Sequence, residues 1–205
     1  MAESHTIIPP FPADVDREAF GHYLSGFVDG EGCFSLHVEE GGRRRPKAQF
    51  MIVLRADDSP ILHQIQAFWG CGHFSLHENR GGVGKALQGR YRVHAWAHLA
   101  GVLVPHFDRF VLRAKKRRDY AVWREAVLLG HAVSQRPFRH EGHKGGRSSR
   151  WLPPEFARFV TLHDALRQVR RFESSVIETP AQQPEPPSLF DGFDADLLSR
   201  DEEHD

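Results

Sequence analysis

The chain has 205 residues with an apolar share of 40%, enough for the core of one domain of moderate size with extensions. No run of 18 apolar residues and no basic-then-apolar leader occurs, so no export or transmembrane segment is expected and the cytoplasm is the expected location. The net charge of zero hides a segregation: residues 1–40 hold one basic and eight acidic side chains, 41–150 hold 21 and 7, and 151–205 hold 5 and 12. A middle of about +14 needs a polyanionic partner such as DNA or RNA, and a purely structural module leaves it unexplained.

Residues 1–13 carry Pro9, Pro10 and Pro12 and no period, so a flexible lead-in is expected before a domain over 14–175. Asp14 or Asp16 can cap a helix over about 16–30, in which Phe20, Tyr23, Leu24, Phe27 and Val28 recur at helical spacing. Gly26 and Gly30 lie four apart on one face and leave it bare, which suits the close approach of a second helix. Gly32 suits a C′ stop. Phe34, Leu36 and Val38 then alternate with Ser35, His37 and Glu39, a half-buried strand. Glu31 sits at the seam, its carboxylate beside the negative end of the helix, and a bound cation would relieve that. Mg²⁺ takes few protein carboxylates and fits the role, and a symmetric partner helix would bring a second Glu31 nearby.

Gly41-Gly42 with Arg43, Arg44 and Arg45 makes a basic hairpin loop. The second strand sets Ala48, Phe50, Ile52 and Leu54 against Lys47, Gln49, Met51, Val53 and Arg55. Asp57-Asp58-Ser59-Pro60 offers caps and an N1 proline for a helix bearing Ile61, Leu62, Ile65, Phe68 and Trp69, which should stop at Gly70. A third strand from Cys71 to His77 puts Phe74 and Leu76 opposite His73, Ser75 and His77. Residues 79–89 read as a glycine-rich loop, and the fourth strand sets Tyr91, Val93 and Ala95 inward against Arg90, Arg92, His94 and Trp96. Two further helices follow, over about 98–110 and 115–129, the second closed by Gly130. Residues 131–150 read as basic loop, Pro153-Pro154 opens a final helix, and 176–205 is an acidic, Pro-rich tail expected to be disordered. Cys33 and Cys71 lack metal spacing and read as free thiols. Gly82-Val83-Gly84-Lys85-Ala86 lacks the first glycine and the Ser or Thr of a phosphate loop, and His140-Glu141-Gly142-His143 is not a helical zinc motif.

Leu24-Ser25-Gly26-Phe27-Val28-Asp29-Gly30-Glu31-Gly32, with Tyr23 before it and an alternating strand after it, resembles the nine-residue signature of the LAGLIDADG homing endonucleases. One copy of the signature, in an αββαββα order, resembles the single-motif members that pair into homodimers. The resemblance implies an α+β fold: a four-stranded antiparallel, saddle-shaped sheet with helices on one face, here with extra C-terminal helices. It further implies a dimer interface at Leu24, Gly26, Phe27 and Gly30, and a structural Asp29. A catalytic divalent metal would be held by Glu31 and the carbonyl of Gly30. The family more often carries Asp where this chain has Glu31. Basic side chains around the scissile phosphates would come from Arg55 and from Arg113, Lys115 and Lys116, with Lys116 favoured by its spacing to Asp119-Tyr120. Where many members carry a Gln near the end of the second strand, this chain has Leu54 and Arg55.

The implied reaction is hydrolysis of phosphodiester bonds in duplex DNA at a long pseudo-palindromic target, with magnesium or another divalent cation such as manganese. The polar strand faces would read the major groove through Ser35, His37, Lys47, Gln49, Met51, Ser75, His77, Arg90, Arg92 and His94. Arg43, Arg44, Arg45, Arg80 and Lys85 on loops suit phosphates. Such a protein would associate with the nucleoid when on DNA. Two other functions use the same fold: an intron-splicing maturase, for which RNA is the partner, and an inactive DNA-binding regulator.

Overall fold

The computed structural model describes residues 8–38, 46–78, 87–137 and 150–171. In chain order these form α1 (Arg17–Glu31), β1 (Gly32–Val38), β2 (Pro46–Arg55), α2 (Ser59–Trp69), β3 (His73–Glu78), β4 (Leu87–Val93), α3 (Trp96–His98), α4 (Val104–Arg109), α5 (Lys116–Ser134) and α6 (Pro153–Val169). The four strands make one antiparallel sheet in the order β1-β2-β4-β3. This is the expected αββαββα order with helices added at the C-terminal side. No helix among the described residues is long and apolar enough to cross a membrane.

Alternation on the strands decides which face is dry. Phe34, Phe50 and Val93 stand side by side across β1, β2 and β4, and so do Ile52, Tyr91 and Phe74 across β2, β4 and β3. Helices cover this face. Phe34 lies 5.0 Å from Trp123 and 5.4 Å from Phe107 between ring centroids, and Leu24, Val28, Leu62, Ile65, Leu99 and Leu103 are fully buried around them. Fully burying side chains of this size contributes roughly 1.5–3 kcal/mol each, which is what holds the helices to the sheet. The Trp123 indole also donates to the Gln49 carbonyl at 3.2 Å, tying α5 to β2.

Local rules explain most element ends. Asp16 caps α1 by accepting from the N–H groups of Glu18 at 2.8 Å and Ala19 at 3.4 Å. Gly70 ends α2 at φ 64°, a left-handed position that favours glycine. In the helical stretch between α3 and α4, the Val104 N–H reaches back to Leu99. That widened turn stands immediately before Pro105, whose nitrogen has no hydrogen to give.

Several expectations from the sequence are corrected. Gly32 is extended at φ −71°, ψ 150° and stops the helix without a left-handed turn. It has to be small because a Cβ there would lie 2.5 Å from Val28 Cγ1. Gly130 does not end α5 but lies buried within it, packed against the Trp96 ring. Trp96 and Ala95 are not strand residues; Ala95 is exposed, and Trp96 opens α3 to pack against Trp151 and Phe159. β4 begins at Leu87, so Gly89 is a strand residue, kept small by Leu62, Phe74 and Ser59. β3 starts at His73, after Gly72 turns at φ 85° under the Tyr91 ring. Asp58 makes no side-chain cap on α2, and Asp57 pairs with Arg55 instead. Phe11 is not free in a flexible lead-in, for it sits edge-on to Phe20 at 5.1 Å and Phe68 at 5.2 Å with the Arg17 guanidinium over its ring.

Candidate active site and nucleic-acid interface

The C-terminal end of α1 is stitched to the segment before α5. Asp29 Oδ2 accepts from the backbone N–H groups of Arg113 at 2.8 Å and Ala114 at 3.1 Å. The two hydrogen bonds to one carboxylate fix the end of α1 in register with the segment before α5. Immediately beside this, Lys116 Nζ donates to the Gly30 carbonyl at 3.1 Å. A cavity of about 480 Å³ opens there, lined by Asp29, Gly32, Cys33, Lys115, Lys116, Asp119 and Arg170.

Glu31 is exposed and faces a separate groove of about 500 Å³, lined also by Tyr23, Phe27, Leu54, Asp57, Asp58, Pro60 and Ile61. Its carboxylate makes no hydrogen bond or ion pair among the described residues, so its oxygens are open to a cation. Among those residues there is also no cluster of three or more His, Cys, Asp or Glu side chains that could hold a metal ion. At the end of α1 the described residues thus offer the Glu31 carboxylate and the Gly30 carbonyl, with Asp57 and Asp58 elsewhere along the groove. That donor set fits Mg²⁺, which keeps several waters and completes its shell with phosphate oxygens. A carbonyl oxygen has two lone pairs, so the Gly30 oxygen that accepts from Lys116 Nζ keeps a second one for an ion.

The remaining sequence candidates divide. Lys115 lines the same cavity as Lys116, and Arg113 contributes its backbone amide to Asp29 while its side chain is exposed. Arg55 is paired with Asp57 at 2.7 Å, both largely exposed. Tyr23, Gly26 and Gly30 are exposed on α1 with Phe27 half-buried among them, and a Cβ at either glycine would meet nothing within 4 Å. Leu24 does not belong to that face; it is fully buried in the chain's own core. Successive residues of a helix point to different sides, so Leu24 faces the core while Tyr23 faces out.

The sheet face opposite the helices carries the polar residues in register. Cys33, Met51, Arg92 and His73 form one row, Val53, Arg90 and Ser75 the next, and Arg55, Gln88 and His77 a third. Ser35 pairs with Gln49 and His37 with Lys47 on the same face, and His94 is exposed just past β4. The Nε atoms of Arg90 and Arg92 have no hydrogen-bond partner. Burial first, and then the charges of Arg92, His73, His98 and Lys47, hold the His94 imidazole below its ordinary pKa. Among the described residues the strand rows of this face hold cations and no Asp or Glu. Cys33, His73 and Gln88 also belong to it; strand parity identifies His73, whereas a fourth strand begun after Gly89 leaves Gln88 out. Arg43, Arg44, Arg45, Arg80 and Lys85 lie outside the described residues, as do the 138–149 loop and the acidic tail.

Residues 24–127, half of the chain, match the family model described as LAGLIDADG endonuclease. The chain belongs to the LAGLIDADG endonuclease family. The match spans the signature helix, the sheet and most of α5, and leaves α6 outside. An uncharacterized 50.9 kDa protein in ND4 intron 1 of Podospora anserina is 33% identical over 113 residues, 52% of this chain and 23% of that protein. Probable intron-encoded endonuclease 2 of Neurospora crassa is 27% identical over 130 residues, 61% of this chain and 27% of that one. The matched part of the chain thus spans about a quarter of the length of these curated relatives. Two solved structures share the fold. I-SmaMI bound to an uncleaved DNA target with calcium ions superposes with a TM-score of 0.57 at 18% identity, covering 76% of this chain and 46% of that one. The homing endonuclease I-TnaI gives 0.53 at 19% identity over 76% of this chain and 96% of that one.

Proposed function

We propose that the protein is a site-specific endonuclease for double-stranded DNA that works as a homodimer with a divalent metal ion, magnesium or manganese. The observation that carries this reading is the Lys116 ammonium on the Gly30 carbonyl, one residue from an open Glu31 carboxylate, at the end of the family's signature helix. Membership of the LAGLIDADG family and the names of the intron-encoded relatives support it.

Glu31 and the Gly30 carbonyl would hold the ion. The chemistry a bound divalent ion supplies at such a place is charge stabilisation at the phosphorane and a lowered pKa for a bound water. The chain's own residues do the rest. Lys116 and Lys115 put fixed positive charge beside the reacting phosphate, and Asp29 keeps the segment bearing them in register with α1. Arg90 and Arg92, through the outer nitrogens of their guanidinium groups, and Gln49 and Gln88 would supply hydrogen bonds to base edges in the major groove. The open face of Tyr23, Gly26, Phe27 and Gly30 receives the same face of a second copy. Glu31 shares its groove with Tyr23 and Phe27, so pairing through that face brings two Glu31 carboxylates together, one for each DNA strand.

The test is incubation with a library of duplex targets in Mg²⁺ and in Ca²⁺, beside Glu31→Gln. The intact chain should cut selected targets, and the variant should lose about a thousandfold or more of that rate while still binding in Ca²⁺. Equal cutting by both would remove Glu31 from the mechanism. Tight binding of a structured intron without cleavage of any duplex would instead identify an RNA-splicing maturase.

A further inference from the structure

One wall of the lysine cavity comes from outside the segment that matches the family. Arg170, just past the end of α6, donates from Nε to Asp119 Oδ2 at 2.9 Å and from Nη2 to the carbonyl of Phe34 on edge strand β1. Asp119 lies in the first turn of α5 and is 5% exposed; its other oxygen, Oδ1, has no hydrogen-bond partner. It stands three residues after Lys116 on the same helix, so the two side chains are neighbours on one face, and both line the cavity. Arg170 is the one cation hydrogen-bonded to this carboxylate among the described residues.

A nearly buried carboxylate without a counter-charge takes the nearest one it can reach. Lys116, three residues away on the same face of α5 and lining the same cavity, is a cation within its reach, and the structure shows its ammonium on the Gly30 carbonyl instead. We infer that Arg170 is a positioning residue: by engaging Asp119 it leaves Lys116 free to lie at the Gly30 carbonyl, so α6 completes a site whose other parts come from α1 and α5. This rests on the nuclease reading for its consequence in cleavage, but the placement of Lys116 is a property of the free protein.

The inference distinguishes charge compensation from simple bracing. If Arg170 merely braces α6 against α5, removing either partner of the pair should be equally harmful. If it compensates a charge, removing Asp119 should repair the loss of Arg170. The experiment is a set of crystal structures of full-length R170Q, D119N and D119N/R170Q. Each chain is also tested for single-turnover cleavage of the selected target in Mg²⁺ and for target affinity in Ca²⁺. In R170Q, Lys116 Nζ should leave Gly30 for Asp119, cleavage should slow about tenfold, and affinity should stay within about twofold. D119N and the double variant should both keep Lys116 on Gly30 and cleave within about threefold of the intact chain. Lys116 remaining on Gly30 in R170Q, or a double variant no better than R170Q, overturns the inference. Were R170Q not to fold, D119N alone decides: a chain that loses the Lys116 contact or cleaves tenfold slower refutes compensation. An intact chain that cuts nothing sinks the nuclease reading, while the position of Lys116 in the variants still decides this one.

Discussion

The Lys116 ammonium and the Gly30 main-chain oxygen are 3.1 Å apart, joining the first turn of α5 to the last turn of α1. In this position the lysine both satisfies a helix-end carbonyl and holds positive charge at the residue before Glu31. Lys116→Met should therefore slow single-turnover cleavage by about 10²-fold, the scale of removing one preorganised donor from a reacting centre. Target affinity in Ca²⁺ should fall much less, since one phosphate contact among many is lost. Parallel losses in rate and affinity would reduce Lys116 to a DNA-binding residue.

Asp29 gives a different kind of prediction. Its Oδ2 accepts two backbone N–H groups from the exposed residues Arg113 and Ala114, so Asp29→Ala removes two hydrogen bonds to a charged acceptor at the seam. A destabilisation of roughly 1–3 kcal/mol is expected in urea unfolding, and Asp29→Asn, which keeps an acceptor oxygen, should lose less. If Asp29→Ala unfolds at the same urea concentration as the intact chain, the seam is held by something else.

What the sequence made legible was whatever repeats with a period or forms a contiguous motif. Phe34, Phe50, Ile52, Tyr91 and Val93 alternate along their strands, and they are the buried face. The signature run placed Asp29, Gly30 and Glu31 at one helix end. Illegible were the features set by contacts between distant segments. Gly130 looks like a terminator in one dimension and proves to be a socket for Trp96 from another helix. Leu24 carries the same chemistry whether it faces a partner or the core, and only packing against the sheet decides. Arg170 sits 51 residues from Asp119, and no local pattern ties it to the site.

The glycines of the helices can be told apart by experiment. An alanine at Gly130 would drive its Cβ to 2.3 Å from the Trp96 ring, and overpacking of this kind costs roughly 1–3 kcal/mol. An alanine at Gly26 meets nothing within 4 Å and removes a flexible residue from a helix, so the single chain should gain up to about 1 kcal/mol. A larger side chain at the same place, Gly26→Leu, should keep the fold and prevent two copies from approaching. The expected sedimentation result is then monomer for the variant against dimer for the intact chain. A dimer unaffected by Gly26→Leu would move the interface away from this face of α1.

His106 sets an expected pH dependence of stability. Its ring is 7% exposed among Phe68, Trp69, Phe107 and Phe110, and Nε2 has no hydrogen-bond partner. Burial pushes its pKa from the ordinary 6.5 down to about 4. The folded chain thus keeps the ring neutral while the unfolded chain takes up a proton as the pH falls below 6.5, so acid favours unfolding. This group costs nothing above pH 6.5, and its penalty grows between 6.5 and 4, reaching about 3 kcal/mol below that window. His106→Leu keeps an apolar side chain of similar bulk and removes the proton site. Carboxylates titrate alike in both chains, so the difference in unfolding free energy between variant and intact protein isolates the histidine. It should shift in favour of the variant by roughly 2–3 kcal/mol between pH 7 and pH 4.5. A difference that stays constant over that range would mean that the ring is protonated in the folded chain or reaches solvent on opening.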